Sequence, residues 1–280
     1  MADVEDRVTT HYARGGELLR LIEDGLRAMG RPLDDLDPDD LAGVDEFHMG
    51  GRPATERVAA ALAPAEGDRV IDVGCGIGGP ARYLARHRGC RVTGIDLTPE
   101  FVETAEALTR MTGLADRVDF RLGDAGTPLP FGNAEFDAAT LLHVGMNVAD
   151  KPALFAEVAR VVRPDGGFAV YEAMRVGPGE VAYPMPWAAS AETSFVGTPE
   201  EYRRDLHAAG FGVEAEGDLR APALEMFGRM RARLAAGEPL PPLNLPLLIG
   251  PDAPRRLGNL VDALKAGQVA PVMMVCRRRR

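Results

Sequence analysis

The sequence predicts a doubly wound α/β fold, on three observations. Short apolar strands alternate with helical patterns from residue 69 to residue 172. One of these strands runs straight into glycines at positions 74, 76, 78 and 79, and Asp96 closes the next strand about 20 residues later.

The elements follow in order. Leu18, Leu19, Ile22, Leu26 and Met29 recur at helical spacing, opposite Glu17, Arg20, Glu23, Asp24 and Arg27, which predicts an amphipathic helix over 16–29. Residues 31–45 are rich in Pro and Asp and predict a loop, after which Pro53 opens a helix to Leu62. Strand 69–73 then precedes helix 80–88, strand 91–96 precedes helix 99–112, and strand 118–122 follows. Strand 136–142, helix 152–162 and strand 168–172 complete the alternation. Strands this apolar, separated by helices, belong to a parallel sheet covered on both faces. Beyond Glu172 the rhythm breaks: 176–197 is irregular, 199–209 helical, 211–216 a strand, and 221–265 an insertion before a last strand at 269–276. The expected organisation is a helical lid (1–55), a core (56–220), a cap insertion (221–265), and the last of seven strands with a basic tail (266–280).

Composition narrows the function. With 280 residues, 46% of them hydrophobic, the chain can bury a sizeable core. No apolar run nears the roughly 18 residues of a membrane span, and the start MADVEDRV is acidic and polar, so no membrane and a cytoplasmic location are expected. A net charge of −10 argues against nucleic acid as a partner. The exception, Arg277 to Arg280, reads as a solvated end. Cys75, Cys90 and Cys276 are too few and too scattered for a disulfide framework or a metal site, so no metal is expected. Lys151 and Lys265 are the only lysines beside 30 arginines, a bias typical of GC-rich genomes, which hints at a bacterial source.

The strand–glycine–helix unit Val70 to Gly79 lets a ligand approach bare backbone at a helix N-terminus. Alone it fits an NAD-binding dehydrogenase equally well, with Asp96 on the ribose diol. Three features separate the readings. Asp72 would repel a pyrophosphate but attract a cationic ligand. Asp124, in Gly123-Asp124-Ala125 after the third strand, is placed to accept from an adenine amino group, or else caps a turn. A tight turn over 163–167 precedes the fifth strand.

Taken with these, DVGCGIGG, GIDLTPE, GDA, FDAATLLH and RVVRPDGG match in order the motifs of class I S-adenosylmethionine-dependent methyltransferases, which the chain resembles over about residues 56–216. DEFHMGGRPAT, GCGIGGPARYLA and LLHVGMNVADK are similar to the branch holding sarcosine and dimethylglycine N-methyltransferases and tocopherol-type C-methyltransferases. The resemblance implies a Rossmann-like methyltransferase fold and S-adenosylmethionine as cofactor, with S-adenosylhomocysteine as product. It places Asp72, Gly74, Gly76 and Gly78 on the methionine portion, Asp96 on the ribose, and Leu97, Asp124 and Ala125 at adenine, with Tyr12 of the leading segment folded over the cofactor.

Two strand-end residues are weighed as base or amine anchor. His143 ends the fourth strand at the switch point, where it could also contact cofactor or only pack; Glu172 ends the fifth and could equally pair with Arg175. His48, Trp187 and Phe195 are the expected substrate contacts, each also explicable as packing. The acceptor is expected to be the nitrogen or oxygen of a small molecule, as in bacterial natural-product biosynthesis, with carbon methylation of an isoprenoid or quinone as the nearest rival. A dehydrogenase or a non-catalytic cofactor-binding regulator stands further off. A monomer or homodimer is expected.

Overall fold

The computed structural model describes residue 7, residues 9–126 and residues 128–280. The remainder of the expected lid, residues 1–6 and 8, lies outside them, as does residue 127.

Seven strands form one sheet in the order β3-β2-β1-β4-β5-β7-β6. β1 (Arg69–Val73) is paired in parallel with β2 (Arg91–Asp96) on one side and β4 (Phe136–Leu142) on the other. β3 (Val118–Leu122) extends the sheet beyond β2, and β5 (Val162–Arg175) extends it beyond β4. β7 (Val269–Arg278) runs antiparallel between β5 and β6 (Phe211–Asp218). Four consecutive residues of β1, Val70–Val73, are buried because helices cover both faces, which is why the strand is apolar on both sides except at Asp72. Helices α2 (Arg52–Leu62), α3 (Gly79–Arg88), α4 (Pro99–Met111), α5 (Lys151–Val161) and α6 (Pro199–Ala208) supply those layers. All five carry Pro in the first turn, where its missing N–H costs no hydrogen bond. Because β2 and β4 leave β1 in opposite directions, a crevice opens at the C-terminal end of β1.

Outside this core, α1 (Leu18–Ala28) buries Leu18, Ile22 and Leu26 against Phe101 and Leu108 of α4 and against Leu243 and Leu248. Between β6 and β7 lie α7 (Arg220–Ala235), α8 (Leu245–Ile249) and α9 (Ala253–Lys265). Phe227, Leu260 and Leu264 of this stretch pack with Met49, Met146, Met185 and Trp187. The elements flanking the core in sequence therefore meet over one end of the sheet.

One expectation fails and another holds in a more ordered form. The turn at 163–167 is not a break before the fifth strand but an irregularity inside it: Phe136 pairs with Val162, Ala138 with Gly167, and Asp165 takes φ 62°. The basic tail is solvated as expected, with Arg277, Arg279 and Arg280 exposed, but its main chain is held. Arg277 and Arg278 lie in β7, the Arg279 N–H donates to Gly210 O at 2.8 Å, and Arg280 pairs with Asp165 at 2.9 Å. Backbone pairing with β6 captures residues whose side chains alone suggested solvent.

Among the described residues no helix is long and apolar enough to cross a membrane, and no group of three His, Cys, Asp or Glu could hold a metal ion. All three cysteines are buried free thiols.

Candidate active site

A cavity of about 290 Å³ opens at the C-terminal ends of β1, β2 and β4. Its base is the loop after β1, where Gly74, Gly76 and Gly78 take φ of 72°, 54° and 84°. A Cβ on Gly74 would fall 2.2 Å from Val144 Cγ2, so the loop packs there on the turn after β4. A Cβ on Gly76 would meet nothing within 4 Å, and Gly76 borders the cavity. Gly78 points the other way, its Cβ position 2.5 Å from Phe120, and it does not line the cavity, contrary to the expected ligand contact. Its role is to let the chain turn into α3 against β3.

Two buried carboxylates flank the loop. Asp72, 1% exposed, accepts from the Thr140 hydroxyl at 2.7 Å through Oδ1, while its buried Oδ2 has no partner among the described residues. Burial pushes its pKa up to about 6. Asp96 accepts the Gly76 N–H through Oδ2 and the Thr98 N–H through Oδ1, both at 2.9 Å. Its pKa is raised by burial against the pull of those donors, and each oxygen keeps an acceptor site. Leu97, Asp124 and Ala125 continue the same wall; Asp124 Oδ1 also accepts the Gly126 N–H at 2.8 Å, a turn cap.

The opposite wall comes from the flanking segments. Tyr12 lines the cavity, its hydroxyl donating to Asn147 Oδ1 at 2.9 Å and its ring edge-on to Phe47. His48 lines it too, its Nε2 2.9 Å from both Glu46 Oε2 and Thr55 Oγ1. Glu46 is held in turn by Arg52 at 2.6 Å. Next to it Asp45 forms a fully buried ion pair with Arg82 of α3 at 2.9 Å, and its carbonyl occupies the space a Cβ on Gly79 would need. This segment is thereby fastened to the glycine loop.

The two weighed acid–base residues fare differently from expectation. His143 is on the cavity wall, at φ 57°, but both ring nitrogens are engaged: Nδ1 lies 3.0 Å from Tyr171 O, and Nε2 accepts the Met49 N–H at 3.3 Å. Burial, with the charge of His48, drives its basicity down to about 3, so it stays neutral. Glu172 does not border the cavity. It is fully buried and accepts the Val144 N–H at 2.8 Å, and burial raises it to about 7. The cation that favours its charged form is Lys151, not the expected Arg175. Trp187 does line the cavity, its indole N–H donating to Ser194 Oγ at 2.9 Å. Phe195 does not: it ties the loop through its main chain, to Met146 O at 2.7 Å and to the Lys151 ammonium at 2.5 Å.

Sequence reasoning missed Asn147, which positions Tyr12, while the insertion at 221–265 supplies an apolar wall of Phe227, Leu257 and Leu260. Tyr12 and Asn147 are 135 residues apart, and nothing local links them.

A sheet of this strand order with a glycine loop and paired acidic groups at its switch point defines a Rossmann-like protein that binds a small ligand across the end of β1. Residues 71–170 match the family model described as a methyltransferase domain. Methyltransferase GfsG of Streptomyces halstedii is 34% identical over 164 residues, covering 58% of this chain and 56% of that protein. A probable tocopherol O-methyltransferase of Oryza sativa subsp. japonica is 39% identical over 117 residues, 40% of this chain and 32% of its own length. The chain thus spans from a third to about half of these curated relatives. In fold it is similar to geranyl diphosphate C-methyltransferase of Streptomyces coelicolor A3(2), with a TM-score of 0.69 at 19% identity over 99% of this chain and 98% of that one. Residues 71–170 thus carry a methyltransferase domain, and over this region the chain is similar to class I S-adenosylmethionine-dependent methyltransferases.

Proposed function

We propose that the chain transfers a methyl group from S-adenosylmethionine to a nitrogen or oxygen of a small molecule with an apolar body. The observation that carries this is Asp72: a carboxylate with one oxygen unpartnered and buried at the cavity base calls for a cation. The cofactor's ammonium and sulfonium meet that need; the diphosphate of NAD does not. Asp96 offers its remaining acceptor sites to the ribose hydroxyls, Asp124 and Ala125 face the adenine edge, and Gly74 and Gly76 admit the ligand to the main chain.

When bound, the sulfonium supplies an activated methyl group for in-line displacement. The residues of this chain contribute position: Tyr12, His48 and Trp187 close the cavity over the acceptor's path, and the apolar wall excludes water. Alignment of two reactants is worth on the order of 7–11 kcal/mol, against about 3–5 kcal/mol from a general base. With both nitrogens of His143 occupied and Glu172 off the cavity, the reading assigns neither as base. His143 holds the strand β5 carbonyl and the Met49 amide in register.

The same apolar wall supports carbon methylation of an isoprenoid as the second reading. A role in natural-product metabolism is part of the same proposal, and a reducing, cytoplasmic setting is proposed from three buried free thiols. Calorimetric titration with S-adenosylmethionine, S-adenosylhomocysteine and NAD tests the central reading. Both sulfur ligands should bind saturably, and Asp96→Ala should weaken them about 10- to 100-fold, the worth of hydrogen bonds to a charged group. NAD binding in their place would return the site to a dehydrogenase; cofactor binding without turnover of any labelled methyl group would leave a regulator.

A further inference from the structure

Two separate hydrophobic clusters border the cavity. Tyr12 packs against one of them, its ring 5.9 Å from that of Phe101 on α4. Burial and the charge of Asp96 hold its hydroxyl above the ordinary pKa, so it stays a donor. Trp187 belongs to the other cluster, buried with Met146, Met185, Phe227 and Leu260. Tyr12 thus walls the side where the carboxylate of β2 stands, and Trp187 the side that the insertion builds.

Asn147 touches both aromatic residues. The Tyr12 hydroxyl donates to Asn147 Oδ1 at 2.9 Å, and Asn147 Nδ2 donates to Trp187 O at 2.8 Å. Because the Trp187 carbonyl can only accept, the amide nitrogen must face it and the amide oxygen must face Tyr12. Asn147 itself stands on the sheet side, in the turn Gly145–Asn147 that follows β4. Its N–H donates to Val144 O at 2.8 Å, and the turn is pinned at Val144 N–H by Glu172 at 2.8 Å and at Met146 O by the Phe195 N–H at 2.7 Å. With the main chain fixed, the amide spans from one wall to the other in a single orientation. An aspartate of the same shape would keep an acceptor toward Tyr12 but turn a second acceptor against Trp187 O. The His11 ring lies 2.9 Å from Pro186 O, so the leading segment stays attached to the Trp187 loop without Asn147.

We propose that Asn147 is a positioning residue of the active site, setting Trp187 on the acceptor side by reference to Tyr12 on the cofactor side. The naming of the two sides rests on the methyltransferase reading above; the link between the two aromatic residues does not. In-line displacement is sensitive to the relative placement of its two reactants, and one amide held by both walls fixes that relation directly. A ligand that restricts Tyr12 therefore restricts Trp187 in the same step.

Trp187 is the only tryptophan of the chain, so quenching of tryptophan emission by acrylamide reports on it alone. Quenching of the full chain is measured with and without S-adenosylhomocysteine, beside calorimetric titration with the same ligand, for the wild type, Asn147→Asp and Tyr12→Phe. In the wild type the ligand should lower quenching. Asn147→Asp should raise quenching of the free chain and abolish the ligand's effect on it. Tyr12→Phe should leave the free chain as in the wild type, abolish the ligand's effect, and weaken binding about 2- to 10-fold, the worth of one hydrogen bond. A role in stability alone would raise free-chain quenching in both variants alike, and that result overturns the proposal. So does a wild type whose quenching ignores bound ligand, or a ligand effect retained in either variant, which would route the link through His11. Should Asn147→Asp fail to fold, the wild type and Tyr12→Phe still decide. Absence of S-adenosylhomocysteine binding sinks the methyltransferase reading instead, and the free-chain comparison of the two variants then judges Asn147 by itself.

Discussion

The two halves of the cavity are built by different means. On the sheet side, ligand-facing groups come from consecutive turns at the ends of β1, β2 and β3, and much of the surface is backbone: Gly74, Gly76, and donors already locked to Asp96. On the lid side, the wall is made of side chains brought from residues 12, 48, 147, 187 and the 227–260 stretch, fastened by hydrogen bonds and by the buried Asp45–Arg82 pair. The first half is stiff because the strands fix it; the second depends on long-range contacts that a small ordering change can alter. On the proposed function, the part common to the fold holds the cofactor and the part assembled from elsewhere sets selectivity.

The largest effect that would break this contrast is at the stiff half. Gly74→Ala puts a Cβ 2.2 Å from Val144 Cγ2 at φ 72°, and should cost about 2–4 kcal/mol of stability and at least about tenfold in cofactor affinity. Gly113→Ala, at φ 66° with nothing within 4 Å, bears only the backbone strain of about 1 kcal/mol. Denaturant unfolding that finds the two variants equal would show that the glycine loop is not packed as tightly as its contacts indicate.

A smaller effect lies at the junction of the halves, where Glu172 braces the turn after β4. Its folded pKa, about 7, exceeds its ordinary value of 4.5, so the folded chain binds that proton more tightly. The stabilisation this gives is complete below pH 4.5 and is withdrawn as pH rises through about 7. Glu172→Gln should flatten the fall in unfolding free energy between about pH 5 and 8 by on the order of 1–3 kcal/mol. An unchanged slope would mean that the acid is charged at neutral pH. The smallest effect is expected at His143. His143→Asn, with a residue that tolerates positive φ, should lower turnover by about threefold and leave the pH–rate profile unaltered. Loss of about 100-fold together with a missing ionisation limb would restore it as a general base.

How much of this was legible follows from the range of the interactions. Asp72, Gly74, Asp96 and Asp124 sit within a few residues of strand ends, and strands announce themselves by local apolar runs. Orientation was not legible even there: Gly78 belongs to the same motif as Gly76 yet turns to Phe120. His143 follows β4, whereas Glu172 lies inside β5, which runs on to Arg175; they are consumed by Met49 and by the turn after β4, partners that no spacing rule connects to them. Phe195 and Trp187 look alike as loop aromatics, and only the packing around Met146 separates the wall residue from the tether.

By itself, then, the sequence determined the alternation of strands and helices, the glycine turn and the acidic residues beside it, because each depends on backbone preference and burial within a short window. Tertiary structure decided which of those groups face the cavity and that the basic C-terminal residues pair with β6. Those outcomes depend on contacts between residues far apart in the chain, such as Tyr12 and Asn147, 135 positions apart, for which the chain carries no local signal.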